Sequence, residues 1–110
     1  MSSKYILAIE TSSSICGVAV IHNNEVLSIE EKDVRRKHAE LLPGLTKASL
    51  RNIKITLGDI DAIAISIGPG SFTGLRIGLG FSKGIAYAKN LPIVPVPSML
   101  SLAYSLREYE

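Results

Sequence analysis

A chain of 110 residues fits one domain and is long enough to bury about two thirds of the surface its unfolded form exposes. Hydrophobic residues make up 46% and charged residues 20%, a balance that excludes a disordered segment and fits a globular protein. The formal net charge of +2 is scattered, and the one dense basic stretch, Arg35-Arg36-Lys37, is too short to build a nucleic-acid groove.

In chain order, the apolar run Ile6–Ile9 falls far short of a signal-peptide core or a spanning helix, so a cytoplasmic protein without a membrane segment is expected. "KYILAIET", "SICGVAVIH" and "VLSIEEK" are short runs rich in strand formers, the last with period-two alternation. They predict a three-strand antiparallel meander, turned first by "SSS" and then by Asn23-Asn24, residues that tolerate left-handed backbone. Cys16 is the single cysteine; it has no partner for an internal disulfide, and its strand position fits a small buried residue better than a nucleophile.

From His38 the period changes to a helical one, with Leu41, Leu42, Leu45, Ala48 and Ser49 on one stripe, predicting a helix over 38–52. Pro43 and Gly44 should kink that helix or mark its true first turn. "IDAIAISI" is a near-continuous apolar run, as in a strand buried on both faces. A second helix is predicted over Phe72–Lys89, with Ser71 as its N-cap. "LPIVPVP" reads as a short strand in which Pro95 implies an edge position, and Ser98 begins a last helix that reaches residue 110 without a stop signal. The predicted order is βββαβαβα, a mixed five-stranded sheet of α/β class. By topology this is the layout of an RNase H-like half domain of the actin, sugar-kinase and Hsp70-like (ASKHA) proteins.

The run "IGPGSFTGLRIGLGFSKG" places Gly68, Gly70, Gly74, Gly78, Gly80 and Gly84 at the end of that strand and along the helix after it. A strand-to-helix turn with free N–H groups is a setting for phosphate. The spacing, however, matches neither a dinucleotide fingerprint nor a Walker A loop, and no acidic residue lies between Asp61 and Glu108. Each glycine inside the helix costs about 0.5–1 kcal/mol against alanine, so an offsetting contact is expected. Gly70, Gly74 and Gly78, with Ser82 one step further, line one face, which is either pressed on the sheet or presented to another helix.

Glu10, Thr11 and Ser12 end the first strand where actin-like ATPases keep an acid and small hydroxyls near phosphates and metal. With Gly68, Gly70, Ser71 and Thr73 they form a nucleotide-site candidate, read as degenerate because no matching second loop is present. His22 and His38 do not fit a ligand spacing, so no metal and no cofactor are expected.

"ILAIETSS", "RRKHAELLPGL" and above all "AISIGPGSFTGLRIGLGFSKG" resemble the N-terminal domain of the TsaB (YeaZ) family. The resemblance covers residues 1–110 and about the first half of a family member; the family's C-terminal domain is not in this chain. It implies an ASKHA-type fold and a part in making N6-threonylcarbamoyladenosine at position 37 of tRNAs that read codons beginning with A. TsaB is there a non-catalytic partner of the enzyme TsaD, joined by the ATPase TsaE, and meets tRNA only through the complex. TsaD-type proteins carry a His-x-x-x-His metal motif just after the last strand of this half, where this chain reads "VPVPSMLSLAYS" without histidine. Glu10 stands where an Asp is the TsaB pattern and looks more like TsaD.

The resemblance further implies pairing through the helices of this domain, as a homodimer or with TsaD. That makes His38, Leu41, Leu45, Gly74, Leu75, Gly78 and Ser82 the interface candidates, with the glycine face turned to another helix. A competing reading is an enzyme, either an ASKHA ATPase or kinase half holding nucleotide at Glu10, Thr11 and Gly68 to Thr73, or a metal-dependent glycoprotease.

Overall fold

Three strands close in sequence open the structure, a computed structural model that describes residues 4–12, 15–33, 38–68 and 72–96. Strands β1 (Tyr5–Glu10) and β2 (Ile15–His22) pair antiparallel, and β3 (Glu25–Asp33) pairs antiparallel with β2. Asn23 and Asn24 both take positive φ, 50° and 67°, which gives a two-residue hairpin the twist its strands require. Across β1 and β2, Tyr5 and His22 are register partners, and their rings stack with centroids 4.1 Å apart.

Helix α1 (His38–Asn52) follows, then a single 3-10 turn at Leu57–Asp59, strand β4 (Ala62–Ser66), helix α2 (Phe72–Lys89) and strand β5 (Ile93–Val96). The sheet order β3-β2-β1-β4-β5 puts β4 parallel to both β1 and β5. β5 is the edge strand that Pro95 implied, since a proline leaves no ladder donor to waste there. β4 is buried on both faces, as its apolar run predicted. The last predicted helix, with its Ser98 cap, and the Ser71 cap lie outside the described residues.

Pro43 does not mark the first turn of α1, which begins five residues before it. The bond it removes is to the carbonyl of Ala39, and both residues are exposed, so that carbonyl is left open to solvent. Both helices end in a left-handed residue with a Schellman pattern. In α1, Ile55 N donates to Leu50 O and Lys54 N to Arg51 O, with Lys54 at φ 58°; in α2, Leu91 N donates to Ala86 O, with Asn90 at φ 55°.

α1 lies over β2 and β3 and α2 over β4, side by side on one face of the sheet. Beneath them Leu7, Ile9, Val18, Val20, Ile63 and Ile65 meet Leu42, Leu45, Leu50 and Ala86 in one apolar cluster. Burial of each large aliphatic chain there contributes about 1.5–3 kcal/mol. The alternate strand positions, Ala8, Ala19, Ile21, Ala64 and Val96, form a second cluster on the opposite face. Asp61 ties the start of β4 to that of β1, its Oδ2 accepting from Tyr5 N at 2.8 Å and its N–H donating to Tyr5 O at 2.9 Å.

Candidate functional site

β1 and β4 run parallel, so Glu10, Thr11 and Ser12 emerge at the same sheet end as Gly68, where open α/β sheets hold their ligands. Gly68 has φ 105°, a backbone that side chains rarely adopt. Thr11 is fully buried, and its hydroxyl donates to the carbonyl of Gly74 at 2.6 Å. The Glu10 carboxylate accepts from Ser12 N at 3.2 Å and from the Ser12 hydroxyl. The Thr11 and Ser12 hydroxyls are therefore engaged by the protein's own oxygens. Thr73 is exposed on α2, while Gly70 and Ser71 lie outside the described residues. Among the described residues, no group of three or more His, Cys, Asp or Glu stands close enough to hold a metal. His22 stacks on Tyr5 at the opposite end of β1 from Glu10. Burial pushes the Cys16 thiol up from 9.0 to about 11, so the sulfur stays protonated and a poor nucleophile.

The interface candidates divide, and the glycine face predicted to await another helix faces inward. Gly74, Gly78 and Ser82 are buried, and a Cβ at Gly78 would collide with the Thr11 hydroxyl and sit 3.0 Å from Ile65 Cδ1. The stripe is the seat of α2 on the sheet, and Ser82 turns its hydroxyl back to the Gly78 carbonyl at 2.7 Å. Leu45, 6% exposed, belongs to the core. Leu41 is half-buried against that core, Leu75 is half-buried on α2, and His38 opens α1.

Gly44, Gly80 and Gly84 answer the description instead. A Cβ at any of them would meet no described atom within 4 Å; Gly80 and Gly84 are exposed on α2, and Gly44 is exposed in a hollow it shares with Glu30 and Lys32 of β3 and Glu40 of α1. Tyr87, 93% exposed, lies on the same side of α2, with Arg76 and Lys83. The spacing Gly80 to Gly84 equals that of Gly74 to Gly78, but six residues of helix rotate one pair well away from the other. A signal for the assignment was in the sequence. Ile77, Phe81 and Ile85 precede Gly78, Ser82 and the buried Ala86, whereas Lys83 and Tyr87 flank Gly84.

A groove of about 240 Å³ beside α2 is lined by Ile65, Ser66, Ile67, Leu75, Arg76 and Leu79. It has no acid, thiol or imidazole in its lining, so it offers shape rather than acid–base chemistry. No described helix is long and apolar enough to cross a membrane.

Residues 10–110 match the family model described as "TsaD: tRNA N6-adenosine threonylcarbamoyltransferase". The chain is 34% identical to the tRNA threonylcarbamoyladenosine biosynthesis protein TsaB of Haemophilus influenzae, over 98% of its own length and 45% of the relative's. It is 35% identical to the tRNA N6-adenosine threonylcarbamoyltransferase of Fusobacterium nucleatum, over 83% of this chain and 31% of that one. The solved structure of YeaZ from Pseudomonas aeruginosa superposes with a TM-score of 0.79 at 35% identity, covering 84% of this chain and 43% of that chain. The chain thus spans less than half the length of these relatives. On sequence and fold together, it belongs to the TsaD family and, within it, to the TsaB (YeaZ) proteins.

Proposed function

We propose that the protein serves N6-threonylcarbamoyladenosine formation in tRNA as a non-catalytic partner of a TsaD-type enzyme, docking through the outer face of α1 and α2. The observation that carries this reading is the set of empty positions at Gly44, Gly80 and Gly84. Each weakens its helix by about 0.5–1 kcal/mol against alanine. No described residue fills the space, unlike Gly78, whose missing side chain Thr11 replaces. A bare outer backbone lets a second helix approach closely, so the offsetting contact comes from outside.

The non-catalytic part is supported by the chemistry at the end of β1. A nucleotide site there would need Thr11 and Ser12 to release the partners they hold. The stretch after β5 has no histidine to supply the metal motif of a TsaD-type enzyme. In the proposed complex a TsaE-type ATPase joins the pair, tRNA is met only through the assembly, and the same outer face supports self-pairing. Cytoplasmic residence follows from that substrate.

The test is to mix the full chain with TsaD from the same cell and measure mass by light scattering during size-exclusion chromatography. A one-to-one complex is expected, lost in Gly80→Leu while circular dichroism stays native. Absence of any complex with the unmodified chain overturns the proposal. Tight magnesium-dependent ATP binding that disappears in Glu10→Ala would move the assignment to an enzyme.

A further inference from the structure

We draw no further inference here: the strongest candidate, the apolar groove between Ile65 and Ile67 of the β4 end and Leu75 and Leu79 of α2, carries nothing, because nothing in the structure shows what covers it.

Discussion

The Thr11 hydroxyl occupies the place where Gly78 would hold a Cβ, and from there it donates to the Gly74 carbonyl at 2.6 Å. The last residue before the β1 turn and a helical glycine are thus parts of one contact. Gly78→Ala should destabilise the fold by about 2 kcal/mol, because neither Thr11 nor Ile65 has room to retreat inside the core. Thr11→Val, which keeps the shape and removes the donor, should cost about 1 kcal/mol. Urea denaturation of both variants checks the pair, and an unchanged midpoint for Gly78→Ala would show that the close approach is not there.

Gly80→Ala and Gly84→Ala should behave in the opposite way. With nothing near the new methyl, each should raise stability by about 0.5–1 kcal/mol through helix propensity alone. The same variants should bind TsaD more weakly, because the methyl keeps a partner helix at a distance. Thermal melting and titration calorimetry on one preparation read both effects, and tighter binding by either variant would remove these glycines from the interface.

Lys54 holds a left-handed backbone at φ 58° to close the Schellman turn after α1. An ordinary side chain there costs about 1–2 kcal/mol in sterics that glycine avoids. Lys54→Gly should therefore stabilise the protein by about 1 kcal/mol, visible as a higher denaturant midpoint, with no change in helix content.

Cys16 gives a pH signature. Below pH 9.0 the thiol is neutral in folded and unfolded chains alike; between 9.0 and about 11 only the unfolded chain ionises. Stability should fall as pH rises through that window, and Cys16→Ala should flatten the fall. A thiol reagent at neutral pH should label the protein only after denaturant is added, and rapid labelling of the native protein would contradict the burial.

All five strands and both described helices were legible in the sequence, as in the unbroken apolar run of β4 and the Leu42, Leu45, Ser49 stripe of α1. The 3-10 turn at Leu57–Asp59 was missed although Thr56 and Asp59 have capping-box spacing, with Thr56 N donating to Asp59 Oδ2 at 2.8 Å. The orientation of α2 was misread for a different reason. Two glycine pairs with equal spacing compete in one helix, and the residue that decides between them, Thr11, lies 63 positions from Gly74. Local pattern cannot report a contact that only the closed sheet creates. The same limit applies to Glu10 and Ser12, whose types suggested phosphate chemistry while their geometry makes a turn.

β1 is held by neighbours of very different reach, since Glu10 pairs with Gly17, close by in sequence, whereas Ile6 pairs with Ala62. Closing the first pairing restricts little chain, and closing the second must wait for a much larger loss of freedom. The meander thus forms a template early, and α2 has no surface to settle on until β4 arrives. Thr11 acts as a late latch: its bond to Gly74 governs how long the folded molecule persists rather than how quickly it is reached.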